Sequence, residues 1–236
     1  MYRSIGHGRP TMNGYSGYFP PHYLALRVGL AAQDRDLLPR LAAHGLEYVV
    51  IDRRHRSERG FRRYVTDHDG VELVCAGRAL AVYRLRQKTE DERLVSETPL
   101  PVASLVANVN NHLVAAMTDG NLTSRWSTGP QEPGMMLEID LGVPRDVSGL
   151  QLALGSSLRD FPRGLRIESS QDGEQWHEVW EGTSAGRTVI AALRDPGAAP
   201  LFYGLSSTGT RYLRLWLTEK DPTFYWSVAE LTVMGR

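Results

Sequence analysis

The segment Met117-Thr-Asp-Gly-Asn-Leu-Thr-Ser-Arg-Trp-Ser-Thr128 says more about the fold than any other part of the chain. Asp119-Gly120-Asn121 predicts a tight turn, because these residue types tolerate the backbone conformations that turns require. Ser124 adds a hydroxyl next to the turn, and Trp126 is the large side chain that we expect to anchor the loop in a hydrophobic core. The segment therefore indicates a polar loop that is fastened to a core.

Apolar and polar residues alternate with a period of two in the sequence on either side of this loop. In Met136–Leu141, for example, Leu137, Ile139 and Leu141 face one way and the polar residues face the other. The same alternation recurs in the runs Leu150–Leu154, Arg211–Leu217 and Leu231–Val233, and turn sequences separate the runs. Short strands at this spacing, with no convincing helix between them, predict an all-β sandwich or barrel over residues 102–236.

With that pattern around it, the quoted segment resembles the opening signature of the discoidin, or coagulation factor 5/8 type C, family. Four later segments resemble further strands of the family, and they follow in the same order: Leu137–Gly142, Ile167–Trp176, Arg211–Leu215 and Trp226–Leu231. The resemblance implies an eight-stranded jelly-roll β-sandwich. It also implies that loops at one end of the sandwich bind a sugar or a lipid head group, usually with a structural Ca²⁺ nearby.

The resemblance places the calcium ligands at Asp119, Asn121, Ser124 and Glu230, with backbone carbonyls completing the shell. Calcium takes about six to eight oxygen ligands, which include carboxylates, hydroxyls and carbonyls. Ser124 stands where the family commonly has threonine, and the hydroxyl is retained. The alternative interpretation is that Asp119-Gly120-Asn121 is only a turn and that Glu230 is only a surface charge.

Two stretches, Ser157–Arg163 and Asp221–Trp226, combine the residue types that a sugar site needs, namely an aromatic face for the ring and planar polar groups for its hydroxyls, and Asn110–His112 form a third candidate loop. In sugar-binding relatives, loops at these positions commonly supply an arginine and an aromatic platform. The candidate contacts are Asn111, His112, Arg159, Phe161, Arg163, Phe224, Tyr225 and Trp226. Trp226 is an equally good candidate for the core, and Trp126 and Trp176 are predicted to be core residues.

The first half of the chain predicts a small α/β region over residues 1–88. A helix should follow Asp36, and a second helix should run from Ser57 to about Val65. Strands are predicted at Tyr48–Ile51, Val71–Ala76 and Ala79–Leu85, with the lone cysteine, Cys75, buried among apolar neighbours. Residues 89–101 are rich first in charge and then in proline, and this composition is typical of a linker.

The aromatic and proline-rich segment Asn13–Tyr23 lies near the start of the chain. It resembles a motif in the extracytoplasmic C-terminal region of large bacterial multi-spanning membrane proteins of the lipid-linked-sugar glycosyltransferase type. The resemblance covers about residues 3–86 and implies that this chain is the extracytoplasmic tail of a longer membrane protein. The alternative is an extended segment that only packs against the α/β core.

Charge and hydropathy limit the possible partners. The 27 Lys and Arg residues balance the 27 Asp and Glu residues, so no global field attracts nucleic acid or anionic lipid. One basic cluster, Arg53–Arg63, can lie against the phosphates of a membrane surface or can be a solvated helix face. No nucleic-acid-binding motif accompanies it, so we expect no nucleic acid partner. The sequence also has no apolar stretch of the ~20 residues that a membrane helix needs, and no apolar core of a secretory signal.

Catalytic motifs are missing from the sequence: it has no metal-protease, phosphate-loop or dinucleotide signature, and we name no catalytic residue. We therefore expect a binding module that recognises a glycan or a glycan-bearing lipid. Two alternatives remain. One is a structural or protein-interaction sandwich without a glycan site. The other is a catalytic fragment of a glycan-processing enzyme, since paired carboxylates need only meet in space.

Overall fold

A computed structural model describes Met12, Pro20 and residues 22–86 and 98–235. The first half contains helices α1 (His22–Ala32), α2 (Leu37–Ala43) and α3 (Glu58–Thr66), with strands β1 (Tyr48–Asp52), β2 (Val71–Ala76) and β3 (Leu80–Leu85). The strands form an antiparallel sheet in the order β1-β3-β2. The predicted α/β character is confirmed over these residues, and α1 is an additional helix. Most of the Asn13–Tyr23 motif lies outside the described residues.

The second half is mostly β-structure, as predicted. Its elements are β4 (Thr98–Leu100), β5 (Ser104–Ala107), a 3-10 helix (Asn111–Thr118), β6 (Trp126–Gln131), β7 (Met136–Ala153), β8 (Gly164–Ser170), β9 (His177–Thr183), α4 (Ala185–Arg194), β10 (Pro200–Leu217), β11 (Asp221–Val228) and β12 (Glu230–Gly235). In this described part, one sheet has the order β4-β12-β7-β10-β8-β9, with β5 also paired to β7, and β11 pairs with β6. Strand β4 lies inside the segment predicted as a linker, so pairing begins earlier than expected.

The alternating apolar residues form the core of the sandwich. Leu137 pairs with Leu215, and Ile139 pairs with Leu213, across β7 and β10. All four side chains are fully buried. Trp126 and Trp226, which belong to the β6–β11 sheet, meet edge to face at 4.9 Å between ring centroids. The predicted period of two is confirmed over Met136–Leu141 and Tyr212–Leu217, where every second side chain is buried.

Helix α4 corrects the expectation that the second half has no helix. Its sequence, Ala-Gly-Arg-Thr-Val-Ile-Ala-Ala-Leu-Arg, places small and apolar residues on a face that is buried from Ala185 to Ala192. Helices α1 and α2 pack against it. The approach is close, because a Cβ atom on Gly29 of α1 would lie 3.2 Å from the Cβ of Ala185.

The two halves of the chain share one hydrophobic core. Leu26, Leu37 and Leu41 belong to the same buried cluster as Val189 of α4 and the sandwich residues. The other side of α2, with Leu38, faces a second, smaller cluster inside the α/β half. Hydrogen bonds also connect the two halves. Asp34 Oδ2 accepts one from the Thr183 hydroxyl at 2.5 Å and one from the Gly186 amide at 3.2 Å.

The prediction that Cys75 is buried is wrong, because it is exposed. It lies on β2, an edge strand, where the neighbouring Leu73 and Val74 are also exposed. Helices α2 and α3 share a small buried cluster with β1 and β3, whereas β2 is exposed on both faces from Glu72 to Ala76. An apolar run on an edge strand therefore does not guarantee burial.

Several arginines of the basic cluster Arg53–Arg63 are paired with carboxylates. Arg54 donates to both oxygens of Asp52, and Arg62 lies 3.4 Å from Glu58. This arrangement agrees with a solvated, ion-paired surface. None of the helices in the described ranges has the length and apolar character that crossing a bilayer requires.

Candidate functional site

Three predicted binding loops come together around the β6–β11 pair. Asn110 donates its side-chain amide to the Ser127 carbonyl over 2.7 Å. Ser227 pairs with Ser127 across the two strands, and its backbone amide donates to the Asp160 carbonyl over 3.0 Å. The loop before the 3-10 helix, the loop between β7 and β8, and strand β11 are therefore neighbours, although they are far apart in the sequence.

Five of the eight predicted contacts offer accessible surface in this region. Asn111, His112, Arg159 and Tyr225 are exposed, and Phe224 is half-buried. Tyr225 is 44% exposed and is among the most exposed large apolar side chains of the described residues. Asn111 has one role inside the protein, since its Oδ1 accepts a hydrogen bond from the Ala107 amide over 2.9 Å. These five residues remain candidates for ligand contact.

Phe161 and Trp226 cannot offer a ring face to a ligand, because both are fully buried. Trp226 packs against Trp126, and the Phe161 ring lies 3.9 Å from the guanidinium carbon of Arg163. Their prediction as contacts is wrong in this structure: each continues the core beneath a loop. Trp176 was expected in the core but is half-buried, under the guanidinium of Arg214 at 3.7 Å.

Arg163 is also buried rather than presented to solvent, with 6% of its surface exposed. Its Nε donates to Asp221 Oδ2 over 2.7 Å, and its two terminal nitrogens donate to the carbonyls of Phe161 and Arg159. Burial lowers the pKa of the Arg163 guanidinium, and the ion pair with Asp221 opposes that shift. Arg163 therefore holds the loop together instead of contacting a ligand directly.

Gln131 is a residue of this region that the sequence analysis did not identify. Its side chain is fully buried; Nε2 donates to the carbonyls of Phe161 and Tyr225 over 3.0 and 2.8 Å. Its Oε1 accepts from the Arg163 amide over 3.0 Å. The β6–β11 register shifts at Tyr225, so alternation along β6 could not reveal that Gln131 points inward.

The four predicted calcium ligands come together at a second position. The Asn121 amide donates to Asp119 Oδ1 over 2.9 Å and to Glu230 Oε1 over 2.8 Å. Ser124 Oγ lies 2.7 Å from Asp119 Oδ2 and 2.8 Å from the Asn121 carbonyl oxygen. The hydrogen bond from Ser124 lowers the pKa of Asp119, and further hydrogen bonds outweigh the opposing effect of desolvation.

This set of groups fits a hard cation. Two carboxylates, one backbone carbonyl and one hydroxyl converge on a single loop, and all of them are oxygen donors of the kind calcium takes. Within residues 22–86 and 98–235, no group of three or more His, Cys, Asp and Glu side chains gathers as a metal site. A cation at this position would therefore depend on the carbonyl and hydroxyl oxygens beside the two carboxylates.

Comparison with known proteins identifies a domain family and several similar solved structures. Residues 103–231 match the F5/8 type C domain. The CBM32 of AlyQ, in complex with 4,5-unsaturated mannuronic acid, is 23% identical; the alignment covers 58% of this chain and 97% of that one, with a TM-score of 0.46. The family 32 CBM of C. perfringens NanJ, in complex with galactose, is 19% identical over 58% of this chain and 98% of that one, with a TM-score of 0.45.

A third solved structure is longer than the matching region. The truncated AlyQ with CBM32 and alginate lyase domains is 23% identical over 58% of this chain, with a TM-score of 0.47, and the match spans 33% of its length. No curated protein matches the chain. The family match covers more than half of the sequence and includes the Asp119–Ser124 loop and Glu230. By its residues 103–231, this chain belongs to the F5/8 type C domain family.

Proposed function

We propose that the F5/8 type C domain of this protein binds a glycan at the loops around the β6–β11 pair. The observation that carries the proposal is the exposure of Arg159 and Tyr225 on two backbone segments that one side chain, Gln131, ties together. A tyrosine ring offers the apolar face that a sugar packs on, and a guanidinium offers planar donors for its hydroxyls. Phe224, Asn111 and His112 extend the same surface.

The role that we assign to this domain is recognition rather than catalysis. Arg163 and Asp221, the most buried ionisable residues of the region, bond to each other and to the loop backbone. Neither is left to act as an acid or a base. A domain of this kind brings a larger protein to its glycan, or holds a glycan-bearing lipid in place.

The test is to measure binding of the full chain to a broad glycan array in calcium, with galactose and mannuronic acid among the probes. Arg159→Ala and Tyr225→Ala should each weaken binding by about tenfold or more, since hot-spot residues commonly contribute about 2 kcal/mol. Arg78→Ala, which removes an exposed arginine from the α/β half, is the matched control and should bind like the wild type. A wild-type chain that is folded yet binds no glycan would refute the proposal.

We also propose that Asp119, Asn121, Ser124 and Glu230 hold a structural Ca²⁺ in this domain. Asp119 and Glu230 would supply carboxylate oxygens, Asn121 its carbonyl and Ser124 its hydroxyl. The ion would neutralise the two carboxylates and fix the loop that leads to the buried Trp126.

We further propose that the chain is the extracytoplasmic tail of a larger bacterial membrane protein of the glycosyltransferase type. The support is the motif resemblance over residues 3–86, with Arg53–Arg63 as the surface nearest the membrane phosphates. If this is so, an antibody against the chain should detect the native protein in the membrane fraction, and alkaline carbonate should not extract it. Recovery only from the soluble fraction would contradict the proposal.

A further inference from the structure

Three polar side chains, Gln131, Arg163 and Asp221, form a bonded network below the proposed glycan surface. Gln131 and Arg163 are buried, and the Asp221 side chain is 17% exposed. The members come from three different segments: Gln131 ends β6, Arg163 precedes β8, and Asp221 begins β11. They connect directly, because Arg163 donates its amide to Gln131 and its Nε to Asp221.

Each main contact of the proposed surface has its own backbone tied to this network. Arg163 Nη2 donates to the carbonyl of Arg159 over 3.1 Å. The amide of Phe224 donates to Asp221 Oδ1 over 3.0 Å. Gln131 Nε2 donates to the carbonyl of Tyr225 over 2.8 Å. One network therefore fixes the backbone at all three positions.

The guanidinium of Arg163 also packs against two aromatic rings, one in the β7–β8 loop and one in strand β11. Its central carbon lies 3.9 Å from the Phe161 ring centroid in one loop and 5.3 Å from the Phe224 ring centroid at the start of the other. Contact of one cation with both rings restricts how far either segment can shift. The hydrogen bonds set the backbone positions, and this packing sets the distance between the loops.

We propose that Gln131, Arg163 and Asp221 are positioning residues for glycan recognition, a role that rests on the proposed function. They fix Arg159, Phe224 and Tyr225 relative to one another before a glycan arrives. A preorganised surface binds more tightly because less conformational freedom is lost on binding. Glycan affinity therefore depends on three side chains that do not touch the glycan.

The first part of the test needs no ligand. Hydrogen exchange of the full chain is compared for the wild type, Gln131→Leu and Tyr203→Phe. The control, Tyr203→Phe, also loses a buried hydrogen bond, the 2.8 Å contact with Ser184, but this bond lies away from the loops. We expect residues 157–163 and 221–228 to exchange faster together in Gln131→Leu and to be unchanged in the control. Faster exchange in only one loop, or throughout the sandwich, would overturn the inference.

The second part measures affinity for galactose and for mannuronic acid in a double-mutant cycle. Gln131→Leu should weaken binding about tenfold in the wild-type background. In a Tyr225→Ala background the same substitution should weaken binding much less, because the glycan contact whose backbone Gln131 bonds directly is then gone. An equal loss in both backgrounds, or no loss in either, would overturn the positioning role. If the wild-type chain binds no glycan, the proposed function is refuted. Hydrogen exchange would still show whether the two loops are coupled.

Discussion

Two carboxylates share one backbone amide at the proposed calcium site. Asp119 and Glu230 both accept from the Asn121 N–H, and the hydrogen bond from Ser124 favours the ionised form of Asp119. At the scale of the residue, the two carboxylates are oxygen groups that the proposed Ca²⁺ would neutralise.

Calcium should therefore stabilise the full chain after treatment with a chelator. Binding to the folded state alone contributes about 2.7 kcal/mol when free calcium is at a hundredfold excess over its dissociation constant. A thermal denaturation series should show a rise in Tm for the wild type that Asp119→Asn and Glu230→Gln abolish. The control is Asp172→Asn, which alters an exposed carboxylate that only caps a surface turn. Equal responses in all four proteins would exclude a specific site.

At the scale of the element, helix α4 joins the two halves of the chain. Its preceding residue, Ser184, makes no side-chain capping bond to the helix. Asp34, from the turn between α1 and α2, instead accepts the hydrogen bond of the Gly186 amide in the first turn. A carboxylate at a helix N-terminus satisfies a free amide and interacts favourably with the helix dipole. The α/β half thus supplies the cap that the β half lacks.

Strand β2, unlike helix α4, is not enclosed by neighbouring elements. One of its edges is unpaired within the described residues. Its sequence, Val-Glu-Leu-Val-Cys-Ala, is the kind that a buried strand uses, yet all of its residues after Val71 are exposed. Glu72 is the one charged residue on this strand. Charged residues at an edge oppose pairing with other chains.

At the scale of the whole molecule, the shared core predicts that the two halves unfold as one unit. Leu26, Leu37 and Leu41 are almost completely buried in the cluster that also contains α4 and the sandwich. Full burial of such a side chain contributes about 1.5–3 kcal/mol. Separation of the halves would expose these residues and the partner surface of α4 together, at a large cost in free energy.

Chemical denaturation of the full chain tests this coupling with two probes. All five tryptophans lie between Trp126 and Trp226, so their fluorescence reports the β half, whereas far-UV circular dichroism at helical wavelengths reports mainly α1, α2 and α3. We expect the two transitions to coincide, as for a single cooperative unit. An earlier helical transition, with tryptophan fluorescence unchanged, would mean that the α/β half is an independent domain.

The sandwich could be predicted from the sequence, because alternation along a strand directly encodes which face is buried. The oxygen groups of the proposed calcium site came instead from the family resemblance, and the structure brings Asp119 and Glu230 to the same amide. Alternation is a local pattern, so a single sequence is enough to reveal it. The helices α2 and α3 and strands β1, β2 and β3 were predictable for the same reason.

Which loop residues face solvent could not be predicted from the sequence, because it depends on how distant segments pack. Phe161, Arg163 and Trp226 have the composition of a binding surface, yet neighbouring segments cover them. Gln131 gains its role from carbonyls that lie 30 and 94 residues away. Cys75 is exposed on an edge strand whose residues after Val71 all lie in solvent. Burial depends on contacts between residues distant in the chain, and a single sequence does not specify those contacts.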